Sequence, residues 1–353
     1  MENNDSNKKH NSGLVILIIV AVVAIVLAIF QSVSVFSQKT KSAPKAHFKS
    51  TNSSPSIIKR LSRSKKDNSS PQIPVGESYI ARIFIRGTIE DANATYNQEW
   101  LLETISDLKE DEDNVAIILF IDSPGGAVYQ ADEVYLALVD YRDSGKGLYT
   151  YMGSLAASGG YYIACPSEYI MANRNTLTGS IGVISGQFLD LTELMEKYGV
   201  KSTTIHTGKN KTMGSYTEPF TEEQKEIMQS ISDECYEQFT GIVSKERGLS
   251  LEKVYDLADG RIYTAKQAKE NGLIDGIGTW EEMVELIDRK FFDFNNYQIV
   301  DFSYERTESI YSYLWGLSKA LKKSESNSGL PEILENALTP KTPFPAYYYD
   351  SPF

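Results

Sequence analysis

The pattern of apolar and polar positions divides the chain into an apolar N-terminal segment, a polar stretch and a globular region. Leu14 to Phe30 carries no polar side chain, and Val33–Phe36 extends this run after two polar residues. A helix needs roughly 20 largely apolar residues to cross a bilayer core, so we expect residues 14–36 to form a retained transmembrane anchor. A cleaved signal peptide usually has a shorter apolar stretch, of roughly 7–15 residues, and ends at a small-x-small site that this segment lacks.

From Tyr79 onward the apolar runs alternate between the spacing of strands and the spacing of helices. Val115–Ile121 is continuously apolar, which is typical of a strand buried on both faces of a parallel sheet. The same pattern predicts strands at Tyr79–Ile85, Leu148–Met152, Ile181–Ser185 and Lys201–His206, and helices at Asn97–Leu108, Val128–Leu138, Leu189–Tyr198 and Thr221–Lys245. Strands that alternate with helices imply right-handed parallel crossovers, so we expect an α/β fold whose sheet is covered by helices.

Composition sets the expected boundaries between these regions. They are an N-terminal tail (1–13), the anchor (14–36), a basic flexible linker rich in Ser, Lys, Asn and Pro (37–76), one globular domain (77–302), and an amphipathic helix followed by a Pro/Tyr-rich tail (303–353). The chain contains no internal repeat, so we expect a single copy of the globular domain.

The net charge of −12 is the sum of two regions of opposite sign. Residues 1–66 hold eleven Lys/Arg and two acids, a net of +9, whereas the remainder holds 24 bases and 45 acids, a net of −21. The acidic body argues against nucleic acid as a partner because phosphate binding needs clustered Lys and Arg. The basic strip suits anionic membrane lipid, although the positive-inside rule taken literally would place the body in the cytoplasm.

The two cysteines, Cys165 and Cys235, exclude several classes of small or metal-dependent protein. They are too few for a disulfide framework, and they lack the spacing of a zinc site. We therefore expect neither a metal nor another cofactor.

Two glycine-rich turns stand where predicted strands end. Ser158 lies in Gly153-Ser-Leu-Ala-Ala-Ser-Gly-Gly-Tyr-Tyr, at the start of a helix, where a hydroxyl group can attack and nearby N–H groups can hold an oxyanion. Asp122-Ser-Pro-Gly-Gly follows the buried strand, and its paired glycines expose N–H groups. Loops at the carboxyl ends of parallel strands open into one crevice. Taken separately, Ser158 is equally a helix N-cap, and the second motif is a tight strand–helix turn.

Few side chains are available as the base that would activate Ser158. Of the three histidines, only His206 lies in the globular region. Five residues later comes Lys211, and a lysine serves as a base when burial lowers its pKa. Lys209 and Lys211 are equally two solvated loop lysines, and the residues alone do not choose between these readings.

Five motifs in order are similar to those of the bacterial signal peptide peptidase A family of membrane-anchored serine proteases. They are Asp122-Ser-Pro-Gly-Gly, Ala157-Ser-Gly-Gly-Tyr-Tyr, Thr178-Gly-Ser-Ile-Gly-Val, the Lys211 loop, and Ala258-Asp-Gly-Arg-Ile-Tyr with Gly272-Leu-Ile-Asp. The resemblance runs from about Tyr79 to Ile287, and the chain length resembles the short, single-copy form of Gram-positive bacteria. It implies a Clp-protease/crotonase-like fold behind an N-terminal transmembrane helix.

The resemblance also implies a role for each candidate residue. The nucleophile would be Ser158, the general base Lys211, and the hydroxyl partner of that base Ser180. The oxyanion hole would be formed by the N–H group of Gly125 or Gly126 together with that of Gly159.

A Ser–Lys dyad needs a neutral lysine, held by hydroxyl groups rather than by carboxylates, and Ser180 meets that need. His206 then becomes an ordinary strand residue. One departure leaves Lys209 as an alternative base, because Thr212-Met-Gly-Ser-Tyr follows Lys211 where the family commonly has Asp and a Ser-Pro pair.

Carried over to this chain, the resemblance implies a homo-oligomeric endopeptidase, with its catalytic domain outside the cytoplasm, that degrades residual signal peptides and, as a second class, misfolded proteins. An extended apolar peptide would add as a strand to a sheet edge. Two other readings stay open, a crotonase-like enzyme acting on an acyl-coenzyme A and a catalytically silent membrane scaffold. A weaker hypothesis is that the Pro/Tyr tail enters the substrate groove of its own or a neighbouring copy.

Overall fold

A mixed sheet of eight strands lies at the centre of the part of the chain that the computed structural model describes, residues 76–291 and 298–305 with the backbone of 346–348. Its strands are β1 (Tyr79–Arg86), β2 (Asn114–Ser123), β4 (Gly147–Ala157), β5 (Tyr169–Ala172), β6 (Leu177–Gly179), β7 (Ile262–Thr264), β8 (Gly276–Ile277) and β9 (Gln298–Phe302). The main order is β7-β6-β4-β2-β1-β9. In addition, β5 pairs with β4, and β8 pairs with β5. Only the β6–β7 pair of this sheet is antiparallel.

A second, two-stranded sheet stands beside the first. Its strands are β3 (Gly125–Ala127) and β10 (Ala346–Tyr348), which run antiparallel. β3 follows β2 after a single residue, so this small sheet lies at the carboxyl ends of the parallel strands.

Eight helices complete the described residues. They are α1 (Gln98–Glu110), α2 (Val128–Asp143), α3 (Gly159–Ala164), α4 (Thr192–Lys197), α5 (Glu222–Arg247), α6 (Leu251–Leu257), α7 (Ala265–Glu270) and α8 (Trp280–Phe291). Local capping explains where the long ones begin. Asn97 accepts a hydrogen bond from the Trp100 N–H at the start of α1, and Thr221 forms a capping box with Gln224 at the start of α5.

Helices cover the two faces of the sheet unequally. Alternate residues of β1 show this, because Ala81, Ile83 and Ile85 enter the larger core while Ile80 enters the smaller one. The larger core packs residues of α1, α2, α3 and α5 against the sheet, whereas the smaller core relies on α8. One face of the sheet therefore carries the larger helical layer, and the candidate residues lie at the carboxyl ends of the strands.

The α/β fold predicted from the sequence is confirmed, and the long central strands and helices lie where the apolar pattern placed them. Two predicted strands are wrong. Ile181–Ser185 forms no strand because the chain leaves the extended conformation at Ser180, whose φ is 51°, and the strand is instead Leu177–Gly179. Lys201–His206 is exposed coil, since no neighbouring strand or core stands beside it. The helix predicted at Leu189–Tyr198 is shortened to α4.

Several sequence predictions fall on residues outside the described ranges. The anchor at 14–36, the amphipathic part of the C-terminal region and most of the 37–76 linker are among them. Within the ranges that are described, no helix has the length and apolar character needed to cross a membrane. The predicted domain boundaries stay predictions.

An ion pair between a buried arginine and a half-buried aspartate fastens the end of α5 to the sheet. The Arg247 side chain is only 6% exposed, and its Nη2 lies 2.6 Å from Oδ1 of Asp275. The other carboxylate oxygen of Asp275 accepts the N–H of Ile170 at 2.7 Å. Asp275 therefore satisfies both a buried guanidinium group and a backbone N–H of β5.

We expect Asp275→Ala to lower the free energy of unfolding by about 3–5 kcal/mol, because it leaves a buried charge and a buried N–H without a partner. Urea unfolding monitored by circular dichroism measures the change. The control is Asp140→Ala, which breaks the exposed Lys109–Asp140 pair and should cost less than about 1 kcal/mol. Equal losses in the two variants would contradict the structural role of Asp275.

Candidate active site

Ser158 occupies a strained turn between β4 and α3. Its φ of 52° and ψ of −117° belong to a conformation that normally requires glycine, at the first central position of a type II′ turn. The side chain is 1% exposed, and its Oγ has no hydrogen-bond partner. A buried hydroxyl group usually has a partner, and strained residues cluster at functional sites. Both observations single out Ser158 as a reactive group.

The backbone around Ser158 holds the turn in place. The Ser158 N–H donates to the carbonyl oxygen of Gly179 at 2.7 Å, and the Tyr162 N–H donates to the Ser158 carbonyl oxygen at 2.8 Å. Gly160 packs so closely that a Cβ atom there would lie 2.9 Å from the carbonyl oxygen of Ser123. The glycine at 160 is therefore a steric requirement of the turn.

The glycine loop of β3 is anchored on one side by Ile89. The Ile89 N–H donates to the Gly125 carbonyl oxygen and the Ala127 N–H donates to the Ile89 carbonyl oxygen, both at 2.8 Å. A Cβ atom on Gly126 would lie 1.9 Å from the Ile89 carbonyl oxygen, so only glycine fits. Because a strand alternates its backbone groups between two sides, the N–H and carbonyl of Gly126 face away from Ile89.

The structure distinguishes the two glycines that the sequence left as alternatives. The Gly125 N–H donates to the Oγ of Ser123 at 3.1 Å and is thus already used. The Gly126 N–H points to the open side of β3. Gly159 is the first residue of α3, and its N–H has no intrahelical acceptor. Once an extended peptide takes the place of β10, the N–H groups open to its carbonyl oxygen would be those of Gly126 and Gly159.

The open side of β3 is the side on which β10 pairs. Ala346, Tyr347 and Tyr348 stand opposite Ala127, Gly126 and Gly125, in antiparallel register. The backbone of the tail thus lies along the glycine loop, as the weaker sequence hypothesis proposed. β10 marks the edge at which an extended peptide can pair beside Ser158.

Ser180 lies next to Ser158 through the pairing of β4 with β6. Ala157 stands opposite Gly179 in this register, so the serines that follow them are neighbours at the sheet edge. Ser180 is 7% exposed and has a φ of 51°, and its N–H donates to the carbonyl oxygen of Arg261 at 2.8 Å. Two strained serines at the carboxyl ends of β4 and β6 form the centre of the candidate site.

The lysines lie on an exposed excursion of residues 186–220, here called the lysine arm, in which no residue is buried. Lys209 forms an ion pair with Glu223. Lys211 is exposed, and among the described residues its side chain has no carboxylate partner and makes no hydrogen bond to Ser158. The structure thus brings Ser158, Ser180, Gly126 and Gly159 together and does not bring Lys211 to them within one chain.

The other candidate groups are excluded by their positions. His206 lies exposed on the lysine arm and is not the strand residue that the sequence predicted. Cys165 is fully buried, which raises the pKa of its thiol to about 12 and keeps it protonated. Among the described residues, no three His, Cys, Asp or Glu side chains are grouped to hold a metal ion.

Sequence reasoning did not single out Ser123. It is fully buried at the end of β2, where its hydroxyl group contacts the glycine loop. The available signal was a small polar residue at the end of a continuously apolar strand.

A strained, unpartnered serine beside backbone N–H groups is the arrangement typical of hydrolases with a serine nucleophile and backbone oxyanion donors. Comparisons with known proteins agree. The sequence model of Peptidase family S49 matches residues 140–290. A putative signal peptide peptidase SppA of Enterococcus faecium is 31% identical over 280 residues, covering 76% of this chain and 80% of that protein.

Two further relatives extend the agreement. A putative protease of Synechocystis is 39% identical over 203 residues, covering 58% of this chain and 71% of that protein. The chloroplastic serine protease SPPA of Arabidopsis thaliana is 31% identical over 207 residues, covering 58% of this chain and 30% of that protein. The chain belongs to peptidase family S49 and is a serine peptidase, as the resemblance implied.

Among solved structures, a mutant of ClpP1 from Listeria monocytogenes superimposes with a TM-score of 0.37 and 17% identity, over 57% of this chain and 92% of that chain. This likeness is too distant to support an argument about the site.

We expect Ser158→Gly to raise the free energy of unfolding by about 1 kcal/mol, because glycine adopts a positive φ freely and the change removes a buried hydroxyl group without a partner. Chemical denaturation measures the gain. Ser230→Gly is the control, since Ser230 lies on the exposed face of α5 and the same change there should cost about 0.5 kcal/mol. A loss of stability in Ser158→Gly would show that the turn is not strained.

Proposed function

We propose that the protein is a membrane-anchored serine endopeptidase that degrades residual signal peptides with a Ser–Lys dyad of Ser158 and Lys211. The observation that carries the proposal is the buried, unpartnered Oγ of Ser158 beside backbone N–H donors. In the reaction, Ser158 loses its proton to Lys211 and attacks the peptide carbonyl, and the oxyanion is held by Gly126 and Gly159. The amine product leaves with a proton, and water then hydrolyses the acyl-enzyme.

The choice of Lys211 over Lys209 rests on their partners. A lysine acts as a base only in its neutral form, and a carboxylate beside it stabilises the ammonium form. Lys209 is paired with Glu223, and hydrogen bonds from Lys209 and Asn210 lower the pKa of that carboxylate. Lys211 has no such partner among the described residues, and docking against Ser180 would provide a hydroxyl-lined site for it.

The exposed lysine arm supports a dyad formed between two copies of the chain. Apolar side chains on the arm face solvent, and Ile205 is 97% exposed. Such clusters usually mark a surface that another protein covers. We propose that the arm of one protomer packs on the next and delivers Lys211 to its Ser158, whose hydroxyl group contacts no base among the described residues of its own chain. The contact is head-to-tail, and repeating it gives a ring when the rotation between protomers closes.

The signal-peptide substrate is proposed from the name of the Enterococcus faecium relative and from the open edge of β3. An extended peptide would pair there as β10 does, with its carbonyl group against Gly126. Anchoring through residues 14–36, with the catalytic domain outside the cytoplasm and a Clp-protease/crotonase-like fold, completes the proposal. The part of the basic strip that follows the anchor, residues 37–66, would then contact anionic lipid.

We expect Ser158→Ala and Lys211→Ala each to reduce the hydrolysis of a fluorogenic signal peptide by about 10³-fold or more while the protein stays folded. Lys209→Ala is the matched control and should retain activity. If instead Lys209→Ala is inactive and Lys211→Ala is active, the base is Lys209.

Co-assembly of the two inactive variants tests the dyad between protomers within the same experiment. Random mixing of equal amounts should restore about a quarter of the wild-type activity, because that share of sites joins an intact serine to an intact lysine. Mixed oligomers without activity would show that both residues act within one chain. A serine-directed fluorophosphonate that fails to label Ser158 in the assembled protein would favour the silent scaffold.

Pairing of β10 with β3 predicts that the tail competes with substrate. Truncation after Pro345 should increase kcat/KM for a peptide by about 3–10-fold, because a tethered strand has a high effective concentration. Tyr347→Pro should have the same effect, since proline lacks the N–H that faces Gly126. The control is Ala346→Pro, whose lost N–H points away from β3. Unchanged kcat/KM in the truncated protein would contradict the competition.

A further inference from the structure

Ser123 contacts the backbone of the glycine loop through its hydroxyl group and the helix that carries Gly159 through its carbonyl group. It ends β2, is fully buried, and carries no part of the proposed bond-making steps. We propose that Ser123 is a positioning residue that sets both oxyanion donors at once. This inference rests on the proposed function, because it assigns how the donors of that site are held.

The hydroxyl group of Ser123 links the turn after β1 to the glycine loop by two hydrogen bonds. It donates to the carbonyl oxygen of Gly87 at 2.6 Å and accepts the N–H of Gly125 at 3.1 Å. The first bond ties the end of β2 to the turn after β1, which also carries Ile89. The second removes Gly125 from the donors and fixes the peptide plane next to Gly126. The Gly126 N–H is therefore oriented by a group that never contacts substrate.

The carbonyl group of Ser123 holds the second donor. Ser123 stands opposite Ala156 in the β2–β4 register, two residues before Ser158. Gly160 packs against the Ser123 carbonyl oxygen, at a distance that excludes any side chain. The first turn of α3, with the N–H of Gly159, is thus seated directly on Ser123. A shift of this one residue would move both donors relative to Ser158.

Such a role has a recognisable kinetic signature. Backbone donors stabilise the oxyanion only if they are fixed before the charge develops, and they contribute little to binding of the neutral ground state. Loosening them should therefore lower kcat and weaken binding of a tetrahedral analogue, with little effect on KM.

The test compares Ser123→Ala with wild type in the full-length, assembled protein. We expect kcat for a fluorogenic peptide to fall by about 10–100-fold with KM changed less than about 3-fold. The inhibition constant of a tripeptide boronic acid, which forms a tetrahedral adduct with the Ser158 Oγ, should rise by the same factor as kcat falls. Ser123→Cys keeps the shape with weaker hydrogen bonds and should give an intermediate loss.

Ser167→Ala is the matched control. Ser167 is a buried serine that precedes β5, and its hydroxyl group pairs with that of Thr150 in β4 at 2.7 Å, away from the glycine loop. It should lower the melting temperature as much as Ser123→Ala and leave kcat unchanged. Parallel losses of kcat and stability in both variants would reduce Ser123 to a structural residue and overturn the inference.

The same experiment separates this inference from the function on which it rests. A wild-type protein that neither cleaves the peptide nor binds the boronic acid overturns both. An active wild type together with an unaffected Ser123→Ala, or with a kcat loss that the boronic acid does not follow, overturns the positioning role alone. Thermal melts of each variant confirm that the comparison is made on folded protein.

Discussion

The positive φ of Ser158 is the constraint around which the site is arranged. A non-glycine residue in such a conformation costs about 1–3 kcal/mol, so surrounding contacts must hold it. Here the Ser158 N–H is bound by Gly179, its carbonyl accepts the Tyr162 N–H, and Gly160 leaves room for the turn. The strain places the Oγ at the strand edge with no partner of its own. The fold thereby keeps the hydroxyl group available rather than using it as a helix cap.

The rest of the candidate site consists largely of backbone. Glycine is required at 126 and 160 because neighbouring main chains approach too closely for a Cβ atom, and that closeness fixes the N–H groups rigidly. The short strand β3 is bound to Ile89 on one side, and its other side is available to an extended strand. Pairing with β10 covers that edge, so one feature explains both how an extended peptide can bind and why the tail lies there.

The lysine arm differs from the rest of the described chain because it is not packed against a core. It buries no residue and exposes apolar side chains, so its conformation gains little from the core of its own protomer. Such a segment suits a surface that is completed by a second copy. The serine region is thus fixed by hydrogen bonds from neighbouring strands, whereas Lys211 lies exposed on a segment without such support.

Apolar periodicity by itself determined the α/β class, the central strands β1, β2 and β4 and the long helix α5, because their partners lie in one layer and their capping signals are local. Motif order determined the family, Ser158 and the neighbourhood of Ser180. Only the tertiary structure decided that Gly125 is engaged by Ser123, that Lys209 pairs with Glu223, and that β9 and β10 join strands more than 200 residues earlier. Those features depend on hydrogen bonds and charges from distant parts of the chain, which leave no periodic signal in the sequence.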